Sequence, residues 1–155
     1  MRNGLREKIL LLINPWIYDF SAFDLWMKPT GLLYLAAHFR QNGYQIHLID
    51  CLDRHNPDLL RQQGIQAPKN RTYGIGKFHR EQLSKPSIFK DIPANYSRYG
   101  LPEDIFLKML DAIPTPDAIL VTSMMTYWYP GVFRTIELVK RRFPATPVIL
   151  GGMYA

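Results

Sequence analysis

Four short apolar segments, separated by helical patterns, constrain the fold of this chain more than any other feature. They occupy residues 8–13, 45–50, 118–123 and 147–152. Unbroken apolar runs of this length are typical of strands that are buried on both faces of a sheet. We therefore predict four strands that all belong to one buried sheet.

A helix is predicted between the first two strands. Leu32, Leu35, Ala36 and Phe39 repeat at the spacing that places side chains on one helical face. Gly43 follows at the position where a left-handed residue commonly caps the carboxyl end of a helix. We expect this helix to pack on the sheet through that apolar face.

Two further helices are predicted before and after the third strand. One opens at Pro102 with acidic residues in its first turn, and the other opens at Pro130 and ends in the basic residues 140–142. Strands and helices therefore alternate along the chain, which indicates an α/β fold. We predict a doubly wound, Rossmann-like or flavodoxin-like parallel sheet of about four strands in the order 2-1-3-4.

The length of 155 residues suits one domain, which we place at residues 1–155. Residues 56–100 interrupt the alternation with four prolines, so we expect an insertion there, with some helix near 58–63, partly folded back over the sheet. The sequence stops directly after the fourth strand, which would leave that strand uncovered. We therefore expect a domain truncated at its carboxyl end, a fragment that can self-associate through an unpaired edge.

Composition excludes several classes of protein. The net charge is +6, but the cations are dispersed along the chain, so we predict a solvated basic surface and no nucleic-acid partner. No apolar run approaches the roughly 18 residues of a membrane span, and the first residues are too short for a secretory signal. We expect a cytoplasmic protein without a membrane span. Cys51 is the single cysteine, so this chain alone holds neither an internal disulfide nor an iron–sulfur cluster.

In an open parallel sheet, ligands bind beyond the carboxyl ends of the strands, where the strand order reverses. With the order 2-1-3-4, that point lies between the first and third strands. Adjacent glycines after the fourth strand would let backbone approach a flat or phosphate-bearing ligand, although they can equally form a simple turn. The candidate binding residues are Asn14, Pro15, Thr122, Ser123, Met124, Gly151 and Gly152.

Other familiar chemistries fit poorly. The Gly-x-Gly-x-x-Gly pattern is missing after the first strand, which argues against a nicotinamide cofactor. Residues 74–77 resemble part of a phosphate loop, but the lysine lacks a following serine or threonine and no strand precedes it. The four histidines have no metal-ligand spacing, and Cys51 is more typical of a small buried residue than of a reactive thiolate. We predict neither a catalytic residue nor a protein metal ligand.

Aromatic residues crowd the two loops that follow the first and third strands. So many on facing loops indicate either a broad, flat, apolar ligand or a docking surface for another domain. The residues are Trp16, Tyr18, Phe20, Phe23, Trp26, Tyr127, Trp128 and Tyr129.

Two segments carry a resemblance to a known family. Residues 28–37 read Lys-Pro-Thr-Gly-Leu-Leu-Tyr-Leu-Ala-Ala, and residues 146–152 read Thr-Pro-Val-Ile-Leu-Gly-Gly. Together with Asn14-Pro15, Gly43-Tyr44 and residues 121–123, they resemble the N-terminal cobalamin-binding domain of cobalamin-dependent radical S-adenosylmethionine (radical SAM) enzymes. The resemblance covers most of the chain outside residues 56–100.

This resemblance implies a doubly wound sheet that holds a corrinoid at the carboxyl ends of its strands. It places Asn14, Pro15, Thr122, Ser123, Gly151 and Gly152 around the cobalamin. In the family, a downstream barrel with a Cys-x-x-x-Cys-x-x-Cys motif carries a 4Fe-4S cluster and S-adenosylmethionine. That motif is absent here. The resemblance therefore implies a non-catalytic module whose partners are a corrinoid and the barrel of a parent enzyme for methyl transfer or rearrangement.

The chain also departs from other cobalamin domains, which supply a histidine to cobalt from an Asp-x-His-x-x-Gly motif after the first strand. Here Asp53-Arg54-His55 follows the second strand and the motif is incomplete, so we expect cobalt to receive no protein histidine. We also expect Gly152→Val to abolish corrinoid binding while leaving the fold largely intact. The alternative is a Rossmann-like interaction domain that does not bind cobalamin and docks a protein through its aromatic loops.

Overall fold

The computed structural model describes residues 7–26 and 28–155; residues 1–6, which carry part of the basic start of the chain, lie outside the described residues. The described helices are α1 (Thr30–Gln41), α2 (Pro57–Gln63), α3 (Glu103–Asp111) and α4 (Tyr129–Arg142). The described strands are β1 (Ile9–Asn14), β2 (Ile17–Asp19), β3 (Phe23–Asp24), β4 (Gln45–Asp50), β5 (Gly76–Lys77), β6 (Arg80–Gln82), β7 (Ser97–Tyr99), β8 (Ala118–Ser123) and β9 (Val148–Gly152).

The four long strands form one parallel sheet in the order β4-β1-β8-β9. When only these four strands are numbered along the chain, their order across the sheet is 2-1-3-4. The labels β4, β8 and β9 are higher because short strands lie between the long ones in the sequence. The predicted α/β class with a doubly wound, Rossmann-like sheet is confirmed. All six residues of β1 are buried, because β1 is central and has helices on both faces, which explains its unbroken apolar sequence.

Alternate residues of the central strands serve opposite faces of the sheet. Leu11 and Ile119 face the larger core, which α3 and α4 cover. Leu10, Leu12 and Leu120 face a smaller cluster under α1. The sheet therefore has one thickly covered face and one face on which α1 leaves apolar surface open.

The predicted helix α1 is present, and Gly43 follows its end with a positive φ of 82°, as predicted for a left-handed cap. Its apolar face differs from the prediction at one position. Leu32 is buried, but Leu35 remains 45% exposed. Leu35 lies next to the part of the sheet near β9 that no described helix covers. Its position on the apolar face of α1 was therefore not enough to predict whether it is buried.

The insertion contains the predicted helix as α2, whose first turn is capped by the Asn56 side chain accepting from the amides of Asp58 and Leu59. It also contains strands that we did not predict. Strands β6 and β7 form an antiparallel sheet with β2, and β5 pairs with β3. Strands of two or three residues are too short to show an alternation of apolar and polar residues, and their partners lie far away in the sequence.

This additional layer lies beyond the carboxyl ends of the parallel strands. Strand β2 follows directly from β1, and the amide of Leu101 donates to the carbonyl of Cys51, just after β4, at 2.7 Å. On the other side, Arg98 of β7 donates to Glu103 of α3, which also binds Arg134 of α4. These ion pairs connect the insertion, residues 56–100, to helices α3 and α4. Within the described part of the chain, no helix is long and apolar enough to cross a membrane.

Candidate functional site

The structure brings four of the predicted binding residues together at the carboxyl ends of β8 and β9. Thr122 is paired with Gly151, and Ser123 is paired with Gly152. Asn14, at the end of β1, instead bonds to the neighbouring strand β4, where its amide donates to Asp50 Oδ1 at 2.7 Å. The predicted residues thus divide into two groups.

The crevice between β1 and β8, where we expected the ligand, is nearly filled. Its remaining cavity is about 10 Å³, which is close to the space of one water molecule. Trp16 causes this, because its indole lies in the core, donates to the carbonyl of Leu101 at 2.6 Å and packs against Phe106. The cavity is lined by Asn14, Pro15, Trp16, Ile17, Leu52, Met124, Trp128 and Val132.

The aromatic residues of the two loops therefore serve different purposes. Trp16 and Trp128 are buried, and Trp128 donates to Asp19 Oδ2 at 2.8 Å. In contrast, Trp26, Tyr127 and Tyr129 remain exposed. Trp16 and Trp128 belong to the core, so the expected aromatic ligand or docking surface would have to be formed by the other aromatic residues.

An open apolar groove lies on the α1 face of the sheet, between α1 and the strands β8 and β9. We call it the α1 groove, and its volume is about 240 Å³. Its walls are nearly all aliphatic side chains and glycine backbone. The lining residues are Gly31, Leu32, Leu35, Leu120, Val121, Thr122, Ile149, Gly151 and Gly152. Three predicted residues, Thr122, Gly151 and Gly152, line this groove.

Gly31, Leu35 and Ile149 were not among the predicted binding residues. A signal for Ile149 exists in the sequence, because residues two apart in a strand share a face and Ile149 shares its face with Gly151. Leu35 belongs to the predicted apolar face of α1, but its exposure can be read only from the structure.

The two adjacent glycines have different roles. Gly152 has a φ of +99°, and a Cβ built there would collide with the carbonyl oxygen of Ser123 and lie 2.8 Å from its nitrogen. Gly151 has no atom within 4 Å of such a Cβ. The expectation that Gly152→Val leaves the fold largely intact is therefore wrong, because the backbone of Ser123 occupies that space. Gly151 is the glycine that leaves room for a ligand.

Ser123 also has a structural role. Its hydroxyl donates to the carbonyl of Gly151 at 3.0 Å and accepts from the amide of Tyr154 at 3.0 Å. Both functions of the hydroxyl are thereby used within the protein, and the side chain is 4% exposed overall. Ser123 shapes the groove rather than contacting its interior.

The amino end of α1 opens beside the groove. Pro29 precedes the helix, no side chain caps it, and its first turn contains no acidic residue. Gly31 of that turn lines the groove. The start of a helix favours anions, and no acidic side chain in this first turn offsets that preference.

A partly buried carboxylate, Asp50, ends β4 on the other flank of β1. Burial raises the pKa of Asp50 above its ordinary value, while hydrogen bonds from Asn14 and the Leu52 amide and the charge of Lys28 oppose the shift. Lys28 Nζ lies 4.0 Å from Asp50 Oδ2 and is half exposed. The ammonium group therefore stays accessible from solvent.

The remaining nucleophilic and metal-binding residue types lie elsewhere. Cys51 is fully buried, as predicted, and burial raises the pKa of its thiol well above the usual value, so it stays neutral. His38 and His55 are exposed, and His47 and His79 are partly buried outside the groove. Among the described residues, no group of three or more potential ligands could hold a metal ion.

The fold and the groove together define an α/β parallel-sheet protein with an apolar cleft at its strand ends. Comparisons with protein-family models, curated proteins and solved structures found no match. The function is therefore inferred from the geometry of the site and from the resemblance in the sequence.

Proposed function

We propose that this chain is a cobalamin-binding module and that the α1 groove receives an apolar part of the corrinoid. The observation that carries the proposal is the open position at Gly151, which faces an aliphatic cleft at the carboxyl ends of the parallel strands. An unfilled glycine in such a cleft leaves space for a flat group to approach the backbone.

The chemistry of the groove fits this type of ligand. Cobalamin has an apolar aromatic base joined through a phosphate to a large ring. Leu32, Leu35 and Ile149 offer apolar walls, and the uncapped start of α1, whose residue Gly31 lines the groove, suits a phosphate at its edge. The volume of about 240 Å³ suits a bicyclic base rather than a complete corrinoid.

The proposed parent protein is a cobalamin-dependent radical SAM enzyme. When bound, cobalamin would supply the methyl-transfer or rearrangement chemistry of that enzyme. This sequence contains one cysteine, so a 4Fe-4S cluster and its S-adenosylmethionine would be held by another domain. The role of the present residues is to bind and orient the cofactor.

Hydroxocobalamin is a suitable probe for this proposal. The chain should retain it through gel filtration, with visible absorbance in the protein peak. Gly151→Leu should weaken binding by roughly tenfold or more, which corresponds to about 1.4 kcal/mol, because the added side chain fills the groove. Circular dichroism should show an unchanged fold, since no atom lies within 4 Å of the new Cβ.

Ala37→Leu is the matched control. Ala37 is an exposed residue of α1 that does not line the groove, so a leucine side chain introduced there should leave binding unchanged. Equal binding by the wild type and Gly151→Leu would place the corrinoid elsewhere. No retention by either the wild type or the control would favour the alternative, an interaction domain that docks a protein through its aromatic loops, whose exposed residues include Trp26, Tyr127 and Tyr129.

A further inference from the structure

A buried arginine organises the insertion. The Arg54 side chain is 3% exposed, and its Nε donates to Asp24 Oδ2 at 2.8 Å. Its Nη2 donates to Asn70 Oδ1 at 3.0 Å and to the carbonyl of Gly74 at 2.9 Å. One guanidinium thus holds β3 and the segment 70–76 together.

Gly76 lies between the two residues that Arg54 binds. It pairs with Asp24 in the β3–β5 ladder and with Asn70 through a separate bridge. A Cβ on Gly76 would overlap Nη1 of Arg54 and lie 2.7 Å from its Cζ, so any larger residue there would displace the guanidinium. Nη1 itself is buried and has no hydrogen-bond partner among the described residues. The guanidinium therefore keeps one unsatisfied donor beside Gly76.

A large cavity adjoins this position. We call it the basic cavity, and its volume is about 520 Å³. This lies in the range of roughly 300–1,000 Å³ that is typical of small-molecule sites. Its lining includes three Lys or Arg residues and no carboxylate. The lining residues are Gln63, Ile65, Pro68, Lys69, Asn70, Arg71, Gly76, Lys77, Phe78 and His79.

The three cations lack ion-pair partners. Lys69, Arg71 and Lys77 form no salt bridge with any carboxylate in the described ranges, whereas Arg98 and Arg142 elsewhere do. The bridge between Asn70 and Gly76 brings their two segments side by side, so Lys69 and Lys77 flank it. The Arg71 guanidinium lies 5.2 Å from the centre of the Phe23 ring, which leaves its charge without a carboxylate. A bound anion would therefore meet three cations that line one cavity.

The shape of the site favours a small molecule over a nucleic acid. Phe78 is 6% exposed and, with Ile65 and Pro68, provides apolar lining next to the cations. Nucleic-acid sites present extended basic faces or stripes, whereas these cations converge on one cavity. Cations and apolar surface in one cavity match a ligand that has a phosphate and an organic part.

We propose that the basic cavity binds a small phosphate ester. Lys69, Arg71 and Lys77 hold the phosphate, and the organic part lies against Phe78 and Ile65. The buried guanidinium of Arg54 adds positive potential behind Gly76 and keeps the two cation-bearing segments in place. The site is separate from the α1 groove, so the proposal does not depend on cobalamin binding.

Isothermal titration calorimetry at low salt tests this, with ribose 5-phosphate, ribose and inorganic phosphate as probes. Ribose 5-phosphate should bind, ribose should not, and inorganic phosphate should bind more weakly than the ester. Lys69→Ala and Lys77→Ala should each weaken binding by roughly tenfold, because each removes a charged contact to phosphate. Both lysines are exposed and none of the bonds of Arg54 involves them, so the fold should persist.

Lys90→Ala is the matched control, since it removes the same charge from an exposed position of the same insertion outside the cavity. Its binding should equal that of the wild type. Equal affinity for inorganic phosphate and the ester would overturn the assignment of an ester. Absence of any phosphate binding would overturn the site itself. Tight binding of a single-stranded RNA that all three lysine variants weaken equally would replace it with an extended nucleic-acid surface.

Discussion

Replacing each glycine of the Gly151-Gly152 pair by alanine separates a backbone requirement from a ligand requirement. At Gly152 the φ of +99° is unfavourable for any residue with a Cβ, and such strain costs roughly 1–3 kcal/mol. The Cβ would also lie 2.8 Å from the nitrogen of Ser123, where ordinary contacts are 3.4 Å or longer. Gly152→Ala must therefore either strain the backbone or separate it from Ser123.

Moving residue 152 away from Ser123 would break hydrogen bonds, and their loss gives an estimate of the free-energy cost. The Ser123 hydroxyl donates to Gly151, and Ser123 accepts from the amides of Met153 and Tyr154. Three bonds at about 1 kcal/mol each represent about 3 kcal/mol. The less costly route decides the loss, so Gly152→Ala should lower the free energy of unfolding by about 1–3 kcal/mol.

Urea unfolding followed by far-ultraviolet circular dichroism measures this loss. With a slope of about 2 kcal/mol per molar, the midpoint should fall by roughly 0.5–1.5 M. Gly151→Ala should stay within about 0.5 kcal/mol of the wild type, since its Cβ enters open space. Equal midpoints for the wild type and Gly152→Ala, or equal losses in both variants, would refute the reasoning.

Three further outcomes are expected. Asp50→Asn should raise the melting temperature at pH 7, because burial raises the pKa of Asp50 and the folded state then bears the cost of a buried charge. That gain should disappear as the pH falls below the ordinary carboxyl range, where wild-type Asp50 is protonated too; a gain that is independent of pH would contradict it. Glu103→Gln should lower the free energy of unfolding by about 2 kcal/mol at pH 7, because it breaks charged hydrogen bonds with Arg134 and Arg98. Hydrogen bonds from Arg134 hold the pKa of Glu103 below its usual value, so this stabilisation is present at neutral pH and is lost as the pH falls through that lowered pKa; wild type and variant should converge there in acid melts. If hydroxocobalamin binds and is reduced, electron paramagnetic resonance of cobalt(II) should show no nitrogen splitting from a protein histidine, since none of the four histidines lines the α1 groove; triplets that vanish on substitution of any one of them would overturn this.

The main sheet could be predicted from the sequence because its signals are local. Strand β1 is a run of six buried residues, and helices α1 and α4 carry apolar residues at helical spacing. The right-handed rule for crossovers then leaves few possible strand orders. The observed order agrees with the one expected for strands that alternate with helices.

The candidate binding residues could be predicted from the sequence only because the ends of the strands could be predicted. Thr122 and Gly151 line the α1 groove because they end neighbouring strands. The role of Gly152 could not be predicted, since its close contact with Ser123 depends on the pairing of β8 with β9. Trp16 was placed on a ligand loop, yet it lies in the core, because the acceptor of its indole, the Leu101 carbonyl, is far away in the sequence.

The sequence by itself determined the class of fold, since apolar periodicity specifies which faces of strands and helices must be buried. Only the tertiary structure decided where open space remains. Arg54 reads as one more cation in the sequence, but its buried bonds to Asp24 and Asn70 shape the insertion and the basic cavity beside it. The physical reason is that periodicity describes which residues leave water, whereas a cavity depends on contacts between segments that are distant in the chain.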